Sequence, residues 1–178
     1  MRLTSEPLSK ERHMEAKDYL AYIVNEIHTT IVATVDDEGL PITAAIDMMD
    51  SDENGLYFLT AKGKGFYDRL KKRGFLAMTA IKGQDTMSSV AVSVRGKVRE
   101  LGYARIPALF EKNPYMHQIY PTEEAMHALT VFQIYEGTGR ARMRSRRSSM
   151  LLPGICRLSR RNSGSGISAF AAESLRIR

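Results

Sequence analysis

Cysteine is almost absent: Cys156 is the only one in 178 residues. That excludes an intrachain disulfide framework and a cysteine-only metal cluster. No apolar run approaches the ~20 residues a membrane span needs. The opening "MRLTSEPLSKERHMEAK" lacks the apolar centre of a secretory signal, so a cytoplasmic location is expected. The four histidines, His13, His28, His117 and His127, show neither HxH nor HExxH spacing, which argues against zinc. GxSxG is missing and Cys156 has no placed base, so nucleophilic catalysis has no support. Nor is there a GxxxxGK[ST] phosphate loop or an internal repeat.

Lysine is missing from one region only. Residues 1–139 hold 16 Lys and Arg against 19 Asp and Glu, a net of −3. Residues 140–178 hold ten arginines, eight serines, no lysine and one acid, Glu173, a net of +9. The overall charge of +6 therefore belongs to the tail, which has no sustained period of 2 or 3.6 and is expected to be irregular. Two explanations stay open for it. Unstructured arginines bind nucleic acid or an anionic membrane non-specifically, although Phe170 is the one aromatic available for base stacking. Alternatively the tail is a frameshift product, since arginine and serine codons abound in out-of-frame GC-rich coding sequence.

The remainder is patterned, and at 43% hydrophobic the chain can bury a real core. Ser9 is a candidate helix cap, and Leu20, Ile23, Val24 and Ile27 form one helical stripe. "TTIVATV" (29–35), "LPITAAIDMM" (40–49) and "LYFLT" (56–60) read as strands joined by the turns "DDEG" and "DSDENG". A short helix is expected from about Gly65 to Lys72, with Phe66 and Leu70 on one side. "GFLAMTAI" (74–81) and "TMSSVAVSVRGKVREL" (86–101) follow as strands. The second of these has valines at 90, 92, 94 and 98 on one face and polar residues on the other. Helical patterns in "YARIPALFEKN" and "TEEAMHAL" precede a sixth strand, "LTVFQIYEG" (129–137). Six strands without βαβ alternation predict a mainly β fold, a closed or partly closed barrel with helices at its rim.

The chemistry-bearing stretch is "LYFLTAKGKGFYDRL". Thr60, Lys62 and Lys64 occupy a strand-to-helix corner with Gly63 and Gly65 among them. Helix-start N–H groups, two ammonium groups and a close-approach backbone suit a phosphate. Solvated loop lysines are the competing explanation. Asp50, Asp52 and Glu53 read as solvated turn carboxylates, Met48 and Met49 as core or interface filler, and His117 and Tyr120 as helix-surface residues.

The ordered pieces "TTIVATVDDEGLPITAAIDMM", "GLYFLTAKGKGFYDRLKK", "DTMSSVAVSVRGKVREL", "LFEKNPYMHQIYP" and "VFQIYEGTG" resemble the pyridoxamine 5′-phosphate oxidase-like FMN-binding split-barrel family over about residues 10–139. The last two pieces are similar to a branch that often carries a C-terminal iron–sulfur segment, which is absent here. The resemblance implies a domain over 1–139 that is a six-stranded antiparallel split barrel, followed by the 140–178 tail. It also implies a homodimer with FMN where the subunits meet. Carried over by position, Ala44, Ala45, Ile46 and Asp47 would lie along the flavin ring, with Asp47 a candidate proton donor. Leu59 and Thr60 would sit beside ring and ribityl chain, Lys64 would hold the phosphate with Lys62 as helper, and Ser89 would approach from another side. Many relatives place an arginine where this chain has Ala44, so weak FMN retention is expected. The implied activity is an FMN-dependent oxidoreductase with unknown substrate and no identified catalytic acid or base. The alternatives are a non-catalytic flavin or cofactor carrier, and a polyanion-binding adaptor working through the tail.

Overall fold

The computed structural model describes residues 15–85 and 88–143, and for 173–177 the backbone. Six strands form the barrel: β1 (Thr29–Val35), β2 (Pro41–Asp52), β3 (Gly55–Ala61), β4 (Phe75–Lys82), β5 (Val90–Gly102) and β6 (Leu129–Met143). Their order is β3-β2-β1-β4-β5-β6, and β3 pairs back onto β6, so the ring closes with every pairing antiparallel. Period-2 alternation decides which face turns inward. Val92, Val94 and Val98 of β5 are buried, whereas Ser93, Arg95 and Lys97 are exposed, as the sequence pattern requires.

Closure is incomplete between β2 and β3. Their ladder runs through Asp52–Gly55, Ser51–Leu56, Asp50–Tyr57 and Met48–Phe58, with a register shift between Met48 and Asp50, and stops there. Upstream, β2 residues 41–47 pair only with β1. Downstream, Leu59, Thr60 and Ala61 pair only with β6. The two strands part beyond Met48 and Phe58, and this is the split in the barrel.

Helix α1 (Ala16–Tyr22) runs into a π-helical turn (Ile23–Ile27), and its inner stripe, Tyr19, Leu20 and Ile23, caps the barrel interior. Glu15 and Asp18 form a reciprocal capping box at its start. Helix α2 (Gly65–Arg73) buries Phe66 and Leu70 in the same core and carries Lys71, Lys72 and Arg73 in its last turn, where they complement the helix dipole. Phe58 and Phe132 stack at 5.8 Å in the middle of that core. Helices α3 (Ile106–Lys112), α4 (Met116–Ile119) and α5 (Glu123–His127) cover β2, β3 and β6 through a second cluster built on Ile106, Leu109, Phe110 and Met116. Met48 and Met49 are both buried, one in each cluster.

Three boundaries differ from the sequence expectation. β5 begins at Val90 rather than Thr86, because Asp85 turns the chain back by accepting from the Ser88 and Ser89 amides. β2 continues to Asp52, since the pairing with β3 extends through the acidic stretch. β6 does not stop at Gly137: its ladder with β5 continues through Arg140–Ser93 to Met143–Val90, across position 139. A strand β7 (Glu173–Ile177) pairs with β6 at Gly137–Ala141, along the edge that β3 leaves free. The expected Ser9 cap, and the tail between 144 and 172, lie outside the described residues.

Candidate functional site

Two groups of residues border the split. One lip is β2 from Ala44 to Asp47; the other is the end of β3 and the corner leading into α2, Leu59 to Lys64. Along β2, Ala44 and Ile46 turn inward onto the core, while Ala45 and Asp47 face outward. On the other lip Leu59 is half-buried, and Thr60 is buried opposite Thr130 of β6. The Thr130 hydroxyl donates to Glu100 at 2.7 Å, and Lys71 donates to the same carboxylate at 2.8 Å. Burial pushes Glu100 up, but those two hydrogen bonds and the charges of Lys71 and Lys62 outweigh it and hold the carboxyl below its ordinary range.

The lysines at the corner differ from the others. Lys17, Lys71, Lys72, Lys82, Lys97 and Lys112 each form an ion pair. Among the described residues, Lys62 and Lys64 form none. Their backbone is nevertheless fixed. The Lys62 amide donates to the Ala128 carbonyl at 2.9 Å, and the Lys64 carbonyl accepts from Asp68 in the first turn of α2. Gly63 between them has φ +79°, a left-handed turn that glycine adopts without steric cost. The start of α2 has no side-chain cap, so its first N–H groups are free to meet an anion. The Arg69 guanidinium folds back along this start. Its Nη1 lies 3.1 Å from where a Cβ on Gly65 would stand, and its Nε donates to Thr34 at 2.8 Å. Sequence patterning did not single out Arg69. Its spacing of i+4 from Gly65 was the available signal.

Ser89 is not brought to the split within one chain. It lies at the start of β5, with β4 and β1 between it and β2, and it is buried against Gly83. A Cβ on Gly83 would stand 2.6 Å from the Ser89 Cα, so only glycine lets the β4–β5 connection pass there.

Asp47 has partners that no local pattern announces. Thr29 Oγ1 donates to its Oδ1 at 2.6 Å, and the Tyr115 hydroxyl donates to its Oδ2 at 3.2 Å. His28 Nε2 lies 2.7 Å from the same Tyr115 oxygen. Which of the two donates depends on the imidazole tautomer; with the Tyr115 proton on the carboxylate, the matching tautomer of His28 carries Nε2–H. Burial, then the Asp47 charge and hydrogen bond, push the Tyr115 phenol up to about 12. His28 is the one non-glycine residue with positive φ, +64°, among those described. Its amide donates to Ile23 and its carbonyl accepts from Met48, so α1 and β2 together hold the strained turn.

Asp50 and Asp52 are not the solvated turn carboxylates the sequence suggested. Lys112 bonds Asp50 at 2.7 Å, and the Tyr57 hydroxyl donates to Asp52 at 2.8 Å. Arg105 lies over the Tyr57 ring at 3.9 Å, within ion-pair reach of both acids. His117 is exposed on α4 with its ring edge against Phe110.

The family model for pyridoxamine 5′-phosphate oxidase matches residues 16–140. The chain belongs to the pyridoxamine 5′-phosphate oxidase family. No curated protein matches it. Among solved structures, a NimC/NimA family protein from Clostridium acetobutylicum superposes with a TM-score of 0.62 at 12% identity, over 75% of this chain and 88% of that one. The heme storage protein HutZ from Vibrio cholerae gives 0.54 at 12% identity, over 68% and 90%. A Clostridium acetobutylicum protein related to general stress protein 26 of B. subtilis, of the pyridoxinephosphate oxidase family, gives 0.53 at 17% identity, over 69% and 88%. At these identities the likeness establishes the family's split-barrel fold and no ligand. No described helix is long and apolar enough to cross a membrane.

Proposed function

We propose that this chain is an FMN-binding oxidoreductase that acts as a homodimer. The observation that carries the proposal is the pairing pattern of the lysines: the two described lysines that form no ion pair stand at the mouth of the split, beside an uncapped helix start. A phosphate monoester brings about −1.5 to −2 charges at neutral pH, and Lys64, the α2 amides and Arg69 fit it. Lys62 is drawn toward Glu100 and plays the lesser part. On the opposite lip Ala45 exposes a small side chain, which suits a flat ring laid against it. FMN, once bound, supplies hydride or electron transfer; the chain supplies orientation and a charged anchor.

The outer face of β1 and β4 supports the dimer reading. Ile31 and Ile81 are more than half exposed there, among Ala77 and Thr79. A second copy of the chain laid on this face would cover those side chains.

The test is an absorption spectrum of the purified protein, before and after loading with excess FMN and desalting. Retained flavin bands at about one FMN per chain support the proposal. A Soret band after heme loading, with no retained flavin, replaces FMN with heme as the cofactor. Retained flavin that NAD(P)H never bleaches and no acceptor reoxidises makes the chain a carrier rather than an oxidoreductase.

A further inference from the structure

We infer that Asp47 is an acceptor for a ring N–H of the flavin, aimed by Tyr115 and His28 as positioning residues. The inference rests on the FMN proposal above.

Three elements converge on one carboxylate: the π-turn to β1 junction supplies His28 and Thr29, β2 supplies Asp47, and the segment between α3 and α4 supplies Tyr115. All the donors point the same way. In the Nε2–H tautomer His28 donates to the Tyr115 oxygen, Tyr115 donates to Oδ2, and Thr29 donates to Oδ1. Each Asp47 oxygen then accepts from one hydroxyl, Oδ1 from Thr29 and Oδ2 from Tyr115. An ionised carboxylate offers about four acceptor positions, and these two donors fill half of them. The side chain remains 38% exposed and shares the outward face of β2 with Ala45, on the lip of the split. What remains open is therefore an anionic acceptor at the edge of the proposed ring site. Oxidised flavin carries one ring N–H, at N3, and that is the group such an acceptor selects.

The network also accounts for the backbone at His28. A non-glycine residue with positive φ in a helix-to-strand junction is strained, and a glycine there would remove that strain. A glycine would also remove the imidazole that fixes the direction of the Tyr115 hydroxyl.

The experiment compares FMN with N3-methyl-FMN, binding each to the full chain by flavin fluorescence. Wild type is expected to prefer FMN by roughly ten- to hundredfold, the worth of a hydrogen bond to a charged acceptor. Asp47→Ala abolishes the preference, and Asp47→Asn, matched in size, reduces it. Tyr115→Phe lowers it severalfold. His28→Ala lowers it, whereas His28→Gln, which keeps an N–H at similar reach, restores it. General damage to the fold weakens both ligands and cancels in the ratio. Equal binding of the two flavins by wild type, or a preference that survives Asp47→Ala, overturns the inference while leaving the FMN site standing. Binding of neither flavin overturns both.

Discussion

The same two strands end in opposite ways. Where β2 and β3 pair, around Asp50, Asp52 and Tyr57, each of these polar side chains has a partner: Lys112, Tyr57, Arg105 or Gln133. Where they part, Lys62 and Lys64 form no ion pair among the described residues, and Asp47 retains accepting capacity. Both ends are rich in charge, so composition does not distinguish them. Satisfaction does. A polar group whose partners are all present holds the fold together. One that is fixed in place but under-used is available to a ligand.

That contrast breaks first at the boundary itself. Phe58, the last residue of β3 paired with β2, is fully buried against Phe132 and Phe66. Phe58→Ala is expected to cost about 3–5 kcal/mol of stability in urea unfolding, because it empties a site the surrounding barrel cannot collapse into. At the closed end, Tyr57→Phe removes the hydroxyl that donates to Asp52 and accepts from Gln133. A loss of about 1.5–3 kcal/mol in the same assay is expected, with flavin affinity unchanged. At the open end the pattern reverses: Lys64→Ala weakens FMN by about 1–3 kcal/mol in a titration and leaves the urea midpoint where it was.

Acid sharpens the contrast further. Burial pushes Asp52 up, but hydrogen bonds from Tyr57 and the Asn54 amide, with the Arg105 charge, outweigh it, so the carboxyl sits below its ordinary value. A depressed folded-state pKa contributes stability that is present above the unfolded value of about 3.9 and lost as pH falls through the folded one. Urea midpoints measured below about pH 4 should fall with pH, and Asp52→Asn should flatten part of that slope. The smallest effect belongs to the exposed Lys97–Glu136 pair across β5 and β6. Lys97→Ala should leave the urea midpoint essentially where it was.

The barrel was legible because its strands alternate cleanly. The valines of β5 and the β-branched run of β1 announce which face is buried before any coordinates exist. The corner was legible too, since a strand, two glycines, two lysines and a helix follow each other within a dozen residues. What escaped depends on distance along the chain. His28 and Tyr115 are 87 residues apart, and no local spacing brings them to one carboxylate. Nor does sequence reveal which lysines find an acid: Lys71 and Lys64 look alike until Glu100, 29 residues beyond Lys71, folds beside one of them. Asp50 and Asp52 were misjudged for the same reason, because Lys112 and Arg105 arrive from α3. The far end of β6 was hidden by composition, since "RARM" carries charge where its ladder carries pairing.

That far end matters for anyone trimming the chain. Charge composition marks Gly139 as the place to cut, yet Arg140 to Met143 are the hydrogen-bonding partners of Ser93 back to Val90. Removing them leaves β5 with a bare row of amides and carbonyls beside the apolar Val90 and Val92. A naked strand edge of this kind recruits other chains end on end. A cut after Met143 keeps the β5 edge covered, although it removes β7 from the other side of β6, whereas a cut at Gly139 is expected to leave a barrel that aggregates.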